Sequence, residues 1–155
     1  MRKYAIDLTP LKKYRDFRLL WSAGLFSYFG SMITFVALPF QVKELTNSYW
    51  AVGLIGVVEI IPLIIFGLYG GVLADALDRK KLIWITEALS LIFTGALLVN
   101  SLMDSPSLIL IYVVSGLFAA TSGLRQPAMQ AALPRLVDHE DMTAAAALMS
   151  LRWQI

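Results

Sequence analysis

The stretch that decides the fold is Gly67–Lys81, which reads GLYGGVLADALDRKK. Gly67 and Gly71 lie four residues apart on an apolar run, and this spacing lets a second helix backbone approach closely. The apolar run ends at Asp75 and resumes at Leu82, with three basic residues just before it resumes. A short basic loop between two apolar runs is typical of a cytoplasmic connection between membrane helices.

The composition places the whole chain in the membrane class. Of its 155 residues, 58% are hydrophobic and 15% are charged, and the mean hydropathy is +0.69. Soluble domains carry about 25% charged residues, which is more than this chain has. We therefore expect the chain to lie in a lipid bilayer. The net charge of +2 gives no reason to expect a nucleic-acid partner. The chain has no cysteine, and its one histidine, His139, lies in a charged loop, so we expect no metal ion and no cofactor.

Four long runs of residues carry almost no charge and predict transmembrane helices: 19–42, 50–74, 82–103 and 105–126. Each run is long enough to cross a hydrocarbon core of about 30 Å, which takes roughly 20 helical residues. The first run is also much longer than the apolar core of a secretory signal, and it shows no cleavage site. Because only a few residues connect the runs, the helices must lie as antiparallel neighbours. We therefore predict an all-α membrane protein, an antiparallel transmembrane helix bundle.

The basic residues predict the orientation of these helices. Six of them lie in residues 1–18 and three lie between the second and third runs, whereas the opposite side holds only Lys43. Since cytoplasmic loops carry an excess of Lys and Arg, we expect a multi-pass protein of the inner (plasma) membrane with a cytoplasmic N-terminus. Residues 1–18 would then be a cytoplasmic amphipathic segment, with Leu11 and Tyr14 on the face that lies on the membrane.

The segment after the fourth run returns to the same side. Residues 127–138 are predicted to form a cytoplasmic connector, and 139–155 the start of a fifth helix, with Asp138 as its N-cap. This helix reaches the last residue without a capping residue or a polar tail, which would leave its last carbonyls unpaired. We therefore expect the chain to be the front part of a longer protein.

Part of the stretch quoted first, GVLADALDRK at 71–80, resembles the signature between helices 2 and 3 of the major facilitator superfamily. The pattern of that family is roughly G-x-L-A-D-R/K-x-G-R/K-R/K, and the matching residues are Gly71, Leu73, Ala74, Asp75, Arg79 and Lys80. The chain departs from the pattern at Ala76 and Asp78. The stretch FRLLWSAGLFSYFGSMITFVALPFQV from Phe17 and the later ALPRLV are similar to the efflux branch that includes enterobactin and macrolide exporters.

The resemblance implies a partial N-terminal six-helix half of a major facilitator fold, with the missing C-terminal half of the same transporter as its partner. It implies a secondary active transporter that exports a small amphiphilic molecule, such as a drug or a siderophore, in exchange for protons. It also implies that the signature is a gating motif that docks on the second half, with these residues: Gly71, Leu73, Asp75, Arg79 and Lys80.

Three ionisable side chains inside the predicted helices are candidates for substrate binding or proton coupling: Glu59, Glu87 and Arg125. Such groups are costly to keep in lipid and are often functional. Glu59 lies roughly 22 Å from the inner end of its helix, which is near the middle of the bilayer. An interhelical hydrogen bond is the structural alternative for its carboxyl. Glu87 and Arg125 are predicted to form an ion pair, with either a packing or a gating role.

Two functions of other kinds stay open at this point. We find no catalytic constellation, phosphate-binding loop or metalloprotease motif, and so expect no enzyme. The chain could instead be a small integral-membrane interaction or assembly protein without transport activity, which associates through close helix packing. It could also be a compact homo-oligomeric exporter that is complete with four helices. Seven or eight further spans in the coding sequence after Ile155 would favour the large transporter over both.

Overall fold

The computed structural model describes residues 7–76 and 78–151, with the backbone alone at 73–76 and 79. The described helices are α1 (Thr9–Lys13), α2 (Arg15–Thr46), α3 (Tyr49–Ala76), α4 (Arg79–Ser101), α5 (Leu108–Ala132) and α6 (Met142–Leu151). Two short 3₁₀ turns, Leu133–Arg135 and His139–Asp141, lie between α5 and α6. Within the described residues the chain forms no β-strand.

Four of the helices are long and apolar enough to cross a membrane: Arg15–Thr46, Tyr49–Val72, Lys80–Ser101 and Leu108–Arg135. Large apolar side chains stay exposed along them, and Phe26, Leu68 and Ile109 are each about three-quarters exposed. A continuous apolar surface of this kind is unfavourable in water, whereas lipid tails would cover it. The predicted fold class, an all-α transmembrane helix bundle, is therefore confirmed.

The turn between α2 and α3 is fixed by its own side chains. Asn47 has a positive φ of 51°, a left-handed conformation that asparagine tolerates just after a helix end. The Lys43 ammonium donates to the Asn47 carbonyl at 2.9 Å and lies 3.8 Å from the centre of the Tyr49 ring. Ser48 Oγ accepts from the Ala51 amide at 3.4 Å, so Ser48 caps α3. The chain therefore reverses within two residues.

Residues 34–131 form one compact unit, built from the later part of α2 and from α3, α4 and α5. Its apolar core consists of Leu38, Val42, Ile55, Leu97, Ile111 and Val114. Within it, Asn100 near the end of α4 bonds to Ser107 just before α5, and Glu87 near the start of α4 bonds to Arg125 late in α5. These contacts show that α4 and α5 lie antiparallel, as the short connection between them predicts.

Residues 7–33 and 132–151 belong to a second compact unit. Its buried core consists of Phe17, Val137, Ala145 and Leu148. Helix α1 ends after one turn because Tyr14 takes an extended conformation, with φ −109° and ψ 110°. Leu11 and Tyr14 pack against the buried core of this unit. The apolar face of the first segment thus contacts protein, and its position on the membrane surface stays a prediction.

The helices extend beyond several of the predicted runs. Helix α5 continues through Pro127, so the predicted connector 127–138 begins inside a helix. Pro39 and Pro62 likewise lie inside α2 and α3. Each proline removes one backbone hydrogen bond without ending its helix, which membrane helices tolerate when neighbouring groups re-satisfy the carbonyl. The predicted fifth helix corresponds to α6, which is described as far as Leu151.

Candidate functional site

The signature loop joins α3 to α4. Of the five residues predicted as a gate, Gly71 and Lys80 are described in full, while the side chains of the other three lie outside the described residues: Leu73, Asp75 and Arg79. Lys80 is exposed, and a Cβ added at Gly71 would meet no atom of the described residues within 4 Å. The described part of the motif therefore presents an open face at Gly71.

Asp78 explains one departure from the family pattern. Its carboxylate accepts from the Lys80 amide at 2.9 Å and from the Lys81 amide at 3.4 Å, so it caps the start of α4. An N-cap aspartate satisfies backbone donors that a helix start otherwise leaves unpaired. The aspartate thus has a structural role at a position where the family commonly has glycine. Its place just before the apolar run from Leu82 is the signal from which sequence reasoning could have found this cap.

Helices α3 and α5 approach each other closely around Gly67, Gly70 and Gly123. A Cβ added at Gly70 would come within 3.0 Å of the Gly123 carbonyl oxygen, and one added at Gly123 within 2.9 Å of Gly67 N and of Leu63 O. In contrast, no described atom lies within 4 Å of a Cβ added at Gly71. The predicted approach of a second backbone is therefore found at Gly67, whose amide faces Gly123, but not at Gly71, because the backbone of α5 lies against Gly70 instead.

Glu59 lies in the interior of α3, ten residues after the helix begins at Tyr49. Its side chain is half-buried. Within residues 7–76 and 78–151, its carboxyl makes neither a hydrogen bond nor an ion pair. The sequence left open that this carboxyl forms a structural hydrogen bond to another helix, and such a bond does not occur within the described residues.

Glu87 and Arg125 form the ion pair that the sequence predicted. Arg125 Nη1 lies 2.8 Å from Glu87 Oε1, and the side chains are 15% and 31% exposed respectively. Away from bulk water, such a charge-assisted hydrogen bond is stronger than an exposed one. The pair ties α4 to α5 near the signature loop. Whether it also acts in gating stays a prediction.

Further polar contacts hold α4 to α5. Asn100 Oδ1 accepts from the Ser107 amide at 2.9 Å, and Ser90 Oγ lies 3.5 Å from Thr121 Oγ1. No sequence pattern singles out Ser90 or Thr121, which lie on two separate apolar runs. Ser115 Oγ is buried and has no hydrogen-bond partner in the described structure. The α4–α5 pair is therefore fastened at both ends and near its middle.

The structure does not bring all the predicted site residues together. Glu59 belongs to α3, and among the described residues no hydrogen bond or ion pair joins it to Glu87 or Arg125. The arrangement presents one half-buried carboxyl, on a helix packed against the α4–α5 pair. A group of three or more potential metal ligands does not occur within the residues that the structure describes.

Comparison with known proteins places the chain among transporters. The family model described as transmembrane secretion effector, one of the major facilitator superfamily models, matches residues 5–155. The proteins named Enterobactin exporter EntS are similar over 153 residues, with 35% identity for Salmonella choleraesuis strain SC-B67 and 33% for Citrobacter koseri and for Escherichia coli O1:K1 / APEC. No solved structure matches the chain.

These matches cover 97% of this chain and 36% of each relative, so the chain spans about a third of the length of the curated relatives it matches. The family match extends over nearly the whole chain, and four helices are long and apolar enough to cross a membrane. The resemblance seen in the sequence is thereby confirmed. The chain belongs to the transmembrane secretion effector family of major facilitator superfamily membrane transporters.

Proposed function

We propose that this chain forms the first part of a secondary active exporter in a bacterial inner membrane. Its substrate is a small amphiphilic molecule, such as a siderophore or a drug, and export is driven by the exchange of protons. The family match and the relatives named enterobactin exporters support the substrate class and the direction. Four candidate span helices support the membrane location.

The observation that carries proton coupling is the environment of Glu59. This half-buried carboxyl lies in an apolar span and makes neither a hydrogen bond nor an ion pair within the described residues. An ionisable group at such a depth is costly and is by default a functional candidate, and substrate and coupling-ion sites of transporters lie near the bilayer midplane. Glu59 therefore gains and releases the coupled proton. The Glu87–Arg125 ion pair keeps α4 and α5 together beside it.

The signature loop acts as the cytoplasmic gate. The N-terminus and this loop face the cytoplasm, as the basic residues at Lys80 and Lys81 favour. No described atom lies within 4 Å of a Cβ added at Gly71, and this open space supports a docking face for a second six-helix half. Asp75 and Arg79 then bind that half in the state that faces outward, and they separate when the transporter opens inward.

An export assay tests the proposal. The protein is expressed from its own gene, with any coding sequence that follows Ile155, in an Escherichia coli strain that lacks its own enterobactin exporter. Siderophore in the medium is measured as a function of external pH. Glu59→Gln should lower export by roughly tenfold or more and flatten its pH dependence, because the amide cannot carry a proton. Glu44→Gln, an exposed site at the end of α2, is the matched control.

The results distinguish proton coupling at Glu59 from export activity as such. Export by Glu59→Gln at the wild-type rate with the wild-type pH dependence would contradict proton coupling at this residue. Failure of the wild-type protein to export a siderophore, a macrolide or a cationic dye would contradict the exporter itself. Immunoblots of the membrane fraction establish that equal amounts of each variant are inserted.

The gate is tested with a second pair of variants. Asp75→Asn should slow export roughly tenfold, a typical size for the loss of a coupling interaction between two states, while insertion stays intact. Asp104→Asn, in the exposed turn after α4, should export normally. Unchanged flux through Asp75→Asn would remove the gating role. Export by residues 1–155 alone would instead support the compact four-helix exporter.

A further inference from the structure

A group of four polar side chains joins the N-terminal segment to the start of α6, and we call it the clasp: Lys13, Tyr14, Asp138 and Asp141. The Tyr14 hydroxyl lies 2.8 Å from a carboxylate oxygen of Asp138 and 2.8 Å from one of Asp141, so it can donate to either. The Lys13 ammonium lies 2.9 Å from Asp141 and 3.5 Å from Asp138. Two residues near the N-terminus thus bind two carboxylates that follow them by more than 120 positions.

An apolar layer lies with the clasp in the same unit. Phe17 and Ala145 are fully buried, and Leu148 is 1% exposed. The indole nitrogen of Trp21 donates to the Leu148 carbonyl at 3.0 Å, which ties the first turns of α2 directly to the α6 backbone. Because the polar and apolar contacts join the same two segments, the clasp does not rest on exposed charges alone.

Asp138 shows that the long-range contact prevails over a local one. It stands just before the 3₁₀ turn His139–Asp141 with an extended backbone, the position from which an aspartate normally accepts a hydrogen bond from an amide two or three residues on. Its side chain makes no such capping bond. It accepts from Tyr14 instead. The sequence predicted a cap at Asp138, and the structure contradicts that prediction because the carboxylate is turned to the N-terminal segment.

The clasp also constrains how the chain crosses the membrane. Four candidate spans separate Lys13 from Asp138, and an even number of crossings returns the chain to the side on which it began. We infer that residues 8–21 form a strap that closes on the start of α6 once these four helices have crossed, and that the strap holds the start of α6 on the N-terminal side of the membrane. This role is independent of substrate and of proton coupling.

The absence of native cysteine makes the strap directly measurable in the full chain in native membranes. Ala145→Cys places a small thiol in the buried layer, and Thr143→Cys places one at an exposed site on the same helix. Rates of reaction with a small maleimide then report how often the strap opens. We expect Ala145→Cys to react roughly tenfold more slowly than Thr143→Cys, because only an opened strap admits the reagent.

Charge variants in the Ala145→Cys background test the clasp itself. Lys13→Glu should raise the labelling rate about three- to tenfold, since it puts a third negative charge beside two carboxylates. Lys12→Glu, at the exposed neighbouring position, should leave the rate unchanged. The exchange Lys13→Glu with Asp141→Lys should restore slow labelling, which a general effect of surface charge would not do. Tyr14→Phe, which removes only the hydroxyl, should raise the rate about twofold or more.

Three results would overturn the inference. The first is equal labelling of the Lys13→Glu and Lys12→Glu variants. The second is equal labelling of Ala145→Cys and Thr143→Cys in the otherwise unchanged chain, which would mean that the strap is not closed. The third is that the charge exchange labels as fast as Lys13→Glu alone. The milder Tyr14→Phe variant gives the decisive comparison if Lys13→Glu fails to accumulate in the membrane.

Discussion

The contact between α3 and α5 leads to a prediction whose size can be worked out from the structure. Substituting Gly123→Ala would place a Cβ 2.9 Å from Gly67 N and 2.9 Å from Leu63 O. Both neighbours are backbone atoms, so neither can rotate away as a flexible side chain would. Ordinary carbon contacts begin at about 3.5 Å, and the two helices must therefore separate by roughly half an ångström or more. Separation loosens the packing along the whole contact.

The expected loss of stability follows from two opposing effects. Inserting a methyl group into a well-packed contact typically destabilises by about 1–3 kcal/mol. Replacing glycine by alanine inside a helix stabilises the helix by up to about 1 kcal/mol. We therefore expect Gly123→Ala to lower the free energy of unfolding by about 1–2 kcal/mol, which corresponds to roughly a 5- to 30-fold change in the folded-to-unfolded ratio.

Reversible unfolding in mixed detergent micelles, followed by circular dichroism, measures this change. Gly95→Ala is the matched control, because no described atom lies within 4 Å of a Cβ added there. This variant should be as stable as the wild type or slightly more stable. Gly70→Ala should be destabilised, since its Cβ would approach the Gly123 carbonyl to 3.0 Å. A Gly123→Ala variant as stable as Gly95→Ala would refute the close contact.

Two further predictions concern charged groups. Glu87→Gln and Arg125→Gln should each destabilise the protein by about 1–3 kcal/mol, and the double variant by less than their sum, with a coupling of about 1 kcal/mol or more; additive effects in the same unfolding assay would mean that the ion pair contributes nothing. Hydrogen bonds from the Lys13 ammonium and then from a tyrosine hydroxyl lower the pKa of Asp141 below its ordinary value of 3.8. The contribution of Asp141 to the clasp is therefore complete above that value and is lost as the pH falls through the lower folded-state pKa. In a variant that keeps Trp21 and has the other three tryptophans replaced by phenylalanine, the fluorescence of Trp21 should stay constant down to about pH 5 and shift at more acid pH. A shift between about pH 5 and pH 7 would contradict this expectation.

The membrane class and the helices could be predicted from sequence because each depends on local pattern. A run of more than 20 apolar residues has few alternatives to a membrane helix, and short connections force neighbours to lie antiparallel. The Glu87–Arg125 pair was predictable for the same reason: two charges on consecutive antiparallel helices, at similar depth, have few other partners.

Contacts that depend on helix rotation or on distant segments could not be predicted. Residues three or four positions after Gly67 lie on nearly the same face of the helix. Whether Gly70 or Gly71 contacts another helix therefore depends only on where the backbone of α5 lies. The binding of Asp138 by Tyr14 joins residues 124 positions apart, and nothing near Asp138 indicates that its side chain forgoes a local cap. Asp75, the central residue of the proposed gating motif, lies outside the side chains that the structure describes.

The central claim is that four helices cross a membrane and leave the N-terminus and the signature loop in the cytoplasm. Single cysteines at Glu44, Lys81 and Asp104, all exposed positions in or beside the connections, test it most directly when intact cells are treated with a membrane-impermeant maleimide. We predict that the cysteines at Glu44 and Asp104 react in intact cells and that the cysteine at Lys81 reacts only after the cells are opened. Labelling of Lys81→Cys in intact cells, with Glu44→Cys protected, would contradict the account.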